Sequence, residues 1–169
     1  MRRIATAVVV AGVVVLAAAG CGGAGAGPFA WPSDAGSSGF RSPVRPGQMS
    51  VISIVMPRTL STPAVLLDLH PLYPQDARGL TLRYGGTTGL GLELGGQHGW
   101  PARKYQLHPL VGFVIPAHVR GGVAIGASAT QRGIHQLRAF VVDYQVGGTR
   151  YSATMQVGFE LCVGYRMCP

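Results

Sequence analysis

Five histidines (His70, His98, His108, His118 and His135) and six acids are the side chains most able to do chemistry in this 169-residue chain. Converging imidazoles can hold copper or zinc. His98, His108 and His118 are the candidates for such a site, with Met155 or Met167 as soft partners. Yet no two histidines stand at i, i+2 or i, i+4, so no strand or helix face brings two together locally. Hydrogen-bonded structural histidines are the expectation, and no metal or other cofactor follows from the spacing. The acids Asp34, Asp68, Asp76, Glu93, Asp143 and Glu160 are equally dispersed, with no spacing that marks a catalytic pair.

Other searches for chemistry give little. Gly126-Ala-Ser128-Ala-Thr130 lacks the second glycine of a nucleophile elbow, and no phosphate-cradling glycine loop is present. Cys162-Val-Gly-Tyr-Arg-Met167 lacks the histidine that a blue-copper loop places between cysteine and methionine. Neither Cys162 nor Cys168 stands in a His-Gly-Cys-Arg signature of the transpeptidase kind. A wall-active enzyme would have to assemble its site from distant residues. The candidate binding loop runs from Gly95 to Lys104, where Gln97, His98, Trp100, Arg103 and Lys104 lie among glycines. Exposed tryptophan beside arginine is the composition of a recognition hot spot. The expected alternative is that Trp100 folds under the loop and plugs one end of the fold. Asp143 is expected opposite Ser152 and diagonal to Arg150 as a cross-strand pair. Asp68 has no evident partner within its apolar strand, and a buried carboxylate needs one.

The N-terminus carries an address. Arg2-Arg3 precede the uncharged run Ile4–Ala19, and Ala18-Ala19-Gly20 lead into Cys21. That layout is a secretory signal, too short for a comfortable span. Small residues directly before a cysteine resemble the lipobox of bacterial lipoproteins. The resemblance covers the first 21 residues and implies that Cys21 is acylated and becomes the new N-terminus. Ala18 stands where that family prefers leucine, with Leu16 two residues earlier. Three cysteines is an odd number for a secreted protein. With Cys21 lipidated, Cys162 and Cys168 remain to pair in an oxidising compartment, with Gly164 allowing the chain to fold back. The expected task of that bridge is to pin the C-terminus.

The formal charge is +8, and removal of Met1–Gly20 with Arg2 and Arg3 leaves +6. The arginines are scattered singly, which argues against a nucleic-acid surface and supports only a general attraction to anionic headgroups or wall polymers.

These groups must be placed by strands, because nothing after Cys21 keeps a helical period. Gly22 to Gly47 is rich in Gly, Ser, Ala and Pro and reads as a flexible tether; the expectations for its Phe29, Trp31 and Phe40 are the membrane interface, folding back on the domain, or decoration of the tether. Strands are expected at Ser50–Val55 and at Ala64–Leu69. Another spans Leu80 to Tyr84 and is closed by Gly85-Gly86, and Leu90 to Leu94 is followed by Gly95-Gly96. Tyr105–Leu107 and Gly112–Ile115 are short candidates, and Val123 to Ala129 alternates again. From Ile134 to Val163 the chain reads as two long alternating strands joined at Gly147-Gly148, with Tyr144 facing Tyr151, Val142 facing Ala153 and Phe140 facing Met155.

Short strands with frequent turns predict an all-β fold, a single antiparallel β-sandwich over residues 48–169, after a signal peptide (1–20) and a lipidated cysteine with tether (21–47). Ile115-Pro116-Ala117 followed by Leu137-x-Ala139-x-Val141-x-Asp143-Tyr144 resembles the last strands of immunoglobulin-like bacterial domains. That likeness covers about a quarter of the chain and implies an immunoglobulin-like sandwich, without the inter-sheet cysteine pair of antibody domains. The expected protein is a membrane-anchored extracytoplasmic binding module, non-catalytic, whose partners are the membrane and an envelope protein or wall component. A copper or zinc lipoprotein and a cell-wall-active enzyme are the alternatives.

Overall fold

The computed structural model describes residues 27–29, 39–56, 58–88, 97–101 and 106–169. The signal peptide, Cys21, Trp31, the expected strand Leu90 to Leu94, Arg103 and Lys104 lie outside them.

The described chain forms twelve strands and one turn of 3₁₀ helix, Pro74–Ala77. In order they are β1 (Phe40–Val44), β2 (Ser50–Val55), β3 (Ala64–Pro71), β4 (Thr81–Thr88), β5 (Gln97–His98), β6 (His108–Pro109), β7 (Val114–Ile115), β8 (Gly121–Ser128), β9 (Gly133–Leu137), β10 (Phe140–Val146), β11 (Thr149–Met155) and β12 (Phe159–Val163). Three sheets, β1-β12-β9, β11-β10-β3-β7 and β5-β2-β8-β4-β6, pack as a sandwich. All three send side chains into one core, among them Val44, Phe159 and Leu137, Leu66 and Phe140, Ile52 and Val123. The all-β sandwich is as expected from alternation and turn spacing.

The long hairpin is the spine of the fold. Its turn and register are as the sequence requires: Tyr144 pairs with Tyr151, Val142 with Ala153 and Phe140 with Met155, with Gly147 and Gly148 at φ +55° and +86°. It is not two unbroken strands, however. Beyond Phe140–Met155 the pairing resumes at Leu137–Phe159, with two residues on one arm and three on the other. The extra residue shifts the register by one and turns the far half, β9 and β12, into a different sheet. The alternation read across Leu137, Ala139, Val141 and Asp143 therefore breaks: Leu137 and Ala139 are buried, and then Phe140, Val142 and Tyr144 face in.

At the bend, Arg138 grips the 3₁₀ turn. Its Nε and Nη2 donate to the two carboxylate oxygens of Asp76, each at 2.9 Å, and its guanidinium lies 4.1 Å from the Tyr73 ring centroid. The hydrogen-bonded guanidinium holds the Asp76 carboxyl below its ordinary value, against the upward push of burial. A lowered carboxylate pKa contributes stability that is present above the unfolded value near 4 and is lost as pH falls through the folded one. Wild-type melting temperature is therefore expected to fall below about pH 4, and Asp76→Asn to flatten that limb. Equal slopes for both proteins would contradict the pairing.

Two further expectations change. Gly85 and Gly86 do not end a strand but lie inside β4, which runs to Thr88. A Cβ at Gly86 would stand 2.3 Å from the Phe113 ring, so the position is small for packing and not for turning. Phe40–Val44, read as tether, is a strand, and it pairs parallel to β12, whereas the other described strand pairs are antiparallel. Phe29, also in that segment, is 1% exposed within the core.

Candidate functional site

The sequence-expected site residues are dispersed. Gln97 and His98 form β5 at one edge of the five-stranded sheet, while His108 sits in β6 at the opposite edge. His118 lies in the turn before β8 at φ +61°, its N–H donated to the Leu60 carbonyl. No metal site is assembled from His98, His108 and His118. Each is otherwise placed, His108 by stacking on Phe113 with centroids 5.4 Å apart.

Trp100 is half-buried, and it plugs no end of the sandwich. With Met49 and Leu107 it covers the outer face of the five-stranded sheet above Val51 and Ala124. Its indole rests on glycines: a Cβ at Gly126 would stand 2.8 Å from Trp100 Cε3, and one at Gly85 3.5 Å from Cη2. That cover explains why every residue of β8 is buried. Gly126→Val is expected to lift the indole and cost about 1–3 kcal/mol, read as a shift in urea midpoint. An unchanged midpoint would mean that the ring is not seated there.

Asp68 needs no buried partner, because it is exposed. Asp143 pairs with Asp68 but Tyr144 pairs with Leu66, so Leu67 is the extra residue of a bulge. The bulge keeps Leu66 and Leu69 inside and rotates Asp68 outward. There Asp68 Oδ2 lies 3.2 Å from His70 Nδ1, while Asp143 accepts the Ser152 hydroxyl as expected. The ligand atoms of Asp68, His70 and Asp143 all lie within 4.8 Å of one another, a spacing that one divalent cation could bridge. Asp68 also adds to a rise in the pKa of Tyr84, which burial chiefly pushes up to about 12.

The candidate binding surface is at the C-terminus. Cys162 and Cys168 are bridged, with Cα atoms 5.5 Å apart and Gly164 at φ +80° making the return. Gly164 donates its N–H to the Val44 carbonyl at 2.8 Å, which ties the ring to the end of β1. The bridge was expected to act as a pin; it also displays Tyr165, Arg166 and Met167, the last 80% exposed. Beside it opens a cleft of about 420 Å³ lined by Pro43, Arg45, Gln48, Tyr165 and Arg166. The Arg132 guanidinium stands 5.3 Å from the Tyr165 ring centroid. Arg41 is occupied, bound to Glu160 and to the Pro169 carbonyl. Among the described residues no carboxylate pairs with Arg45, Arg132 or Arg166. Aromatic, arginine and methionine side chains held in a short covalent ring lose little freedom on binding, and the three guanidinia suit an acidic partner.

Sequence reasoning missed this surface for two reasons. Tyr165-Arg166-Met167 has hot-spot composition, but two cysteines at that spacing read as a staple for the C-terminus. Arg45 and Pro43 come from the segment read as tether, and nothing local places them beside residue 165.

No protein-family model matches the chain, and no curated protein does. Among solved structures it is similar to the ASH / PapD-like domain of human CEP192 (PapD-like domain 7), with 12% identity over 75% of this chain and 81% of that one and a TM-score of 0.40.

Proposed function

We propose that this protein is a lipid-anchored extracytoplasmic binding module, without catalysis of its own, that engages an acidic envelope protein or wall component through the Cys162–Cys168 ring. The observation that carries the reading is the exposed Tyr165-Arg166-Met167 set, held covalently beside a cleft whose arginines have no described acidic partner. Anchoring rests on the signal sequence and Cys21, and the bridge agrees with an oxidising compartment. The test places a photo-crosslinking residue at Met167 in the full chain in cells, with the exposed Val111 as control. A discrete adduct at 167 that falls at least fivefold with Arg166→Glu is expected. Crosslinking that is equal at 111 and 167, or indifferent to Arg166, overturns the reading.

A second reading, metal binding, is favoured by one observation, the convergence of Asp68, His70 and Asp143. Of the five histidines it uses His70, and none of the candidates His98, His108 and His118. Zinc titration of the full chain should give a stoichiometric site that is lost in Asp68→Asn; no binding at micromolar zinc removes this reading.

A further inference from the structure

Phe29 lies in a segment with the composition of a tether, yet it is a core residue. It is 1% exposed, its ring centroid is 4.9 Å from that of Tyr144, and its backbone N–H donates to the Tyr144 hydroxyl at 3.0 Å. Gly27 is seated in the same way, since a Cβ there would stand 2.3 Å from the Tyr144 hydroxyl and 2.9 Å from Tyr151. Two residues of this short segment are thus fitted to one tyrosine pair.

That seating has a geometric consequence. Gly27 follows Cys21 by six residues, so whatever conformation lies between them, their separation cannot exceed about 21 Å. Without it, the first fixed point would be Phe40, bonded to the Gly158 carbonyl, and the limit would be about 66 Å. The seat is also at one particular end. Tyr144 and Tyr151 lie three residues from the Gly147-Gly148 turn, whereas Cys162 pairs with Ile134 at the far end of the bent hairpin. Eleven residues, about 35 Å of strand path, separate Tyr151 from Cys162.

Building on the lipid-anchor reading, we propose that Phe29 is a latch. It holds the hairpin-turn end of the sandwich close to the membrane, so that the disulfide ring and its arginines are presented outward, away from the bilayer, to an acidic partner. A domain on a loose tether would tumble and spend its arginines on anionic headgroups; a latched one keeps them for the partner.

The test uses the full acylated chain on phosphatidylcholine–phosphatidylglycerol vesicles carrying a surface energy-transfer acceptor. A fluorescent non-canonical residue is placed at Thr149, beside the turn, or at Met167, in the ring. Transfer from 149 should exceed transfer from 167 severalfold, and Phe29→Ala should bring the ratio toward one. Because Phe29→Ala can also unfold the domain, a second variant inserts twelve Gly/Ser residues after Gly22. It should abolish the ratio while leaving the melting temperature unchanged. Equal transfer from both positions in the wild type, or a ratio that survives the insertion, overturns the latch. Cys21→Ser separates the two readings. If that variant leaves the vesicles while the wild type shows equal transfer, the latch alone fails; if it stays bound, the lipid anchor fails and the latch with it.

Discussion

Phe29→Ala is expected to destabilise the protein by about 3–5 kcal/mol, the usual cost of removing a buried phenyl ring. The ring sits against Tyr144 with 1% of its surface exposed, and the collapse that would fill its place is opposed by a core built from all three sheets. Against a total stability of about 5–15 kcal/mol for a domain of this kind, that is a large fraction. The hydrogen bond at the same seat gives an independent check. Tyr144→Phe keeps the ring and removes the acceptor, leaving the buried Phe29 N–H unpaired at a cost of about 1–3 kcal/mol. Both values come from urea midpoints of the full chain. A loss below about 1 kcal/mol for Phe29→Ala would show that the segment is not part of the folded core. The seat also sets the behaviour of Tyr144 itself: burial pushes its phenol pKa up, with the Phe29 N–H opposing.

Removing both cysteines of the ring, Cys162→Ala with Cys168→Ala, is expected to cost about 2 kcal/mol in the chain-entropy account of a small loop. The effect on recognition should be larger than the effect on folding. β12 would persist, since it is paired on both sides by β1 and β9. The segment Gly164–Met167 would lose its covalent closure, and Tyr165, Arg166 and Met167 would have to be ordered at the moment of binding. The crosslink from position 167 should therefore weaken even where the protein remains folded. Wild type in reductant should match the double variant, and the variant should be insensitive to reductant. A crosslink of full strength from the double variant would mean that the ring is only a staple.

Local signals in the sequence carried a good deal. Alternation from Phe140 to Met155 and a Gly-Gly turn suffice to fix the hairpin and its register, because side-chain period and turn length admit one pairing that sets Phe140 against Met155, Val142 against Ala153 and Tyr144 against Tyr151. Ser50–Val55 is a strand with the same bounds by either route. The cysteine pairing followed from parity, since two thiols remain once Cys21 is set aside.

What the tertiary structure decided has a common cause: it depends on neighbours far away along the chain. Gly85 and Gly86 look like turn residues and Gly126 stands in an expected strand, and the smallness of all three is explained only by Phe113 and Trp100 lying across them. Asp68 reads as a buried charge until the Leu67 bulge, set by pairing with β10, rotates it to solvent. Asp76 and Arg138 are 62 residues apart, and Phe29 and Tyr144 are 115 apart. Composition marks residues 22–47 as tether because its few aromatic residues follow no strand or helix period, and β1 finds its partner only at β12. Sequence periodicity records which face a residue turns toward the core. It does not record what arrives on the other side, and that is where the Phe29 seat and the Arg45–Tyr165–Arg166 surface are made.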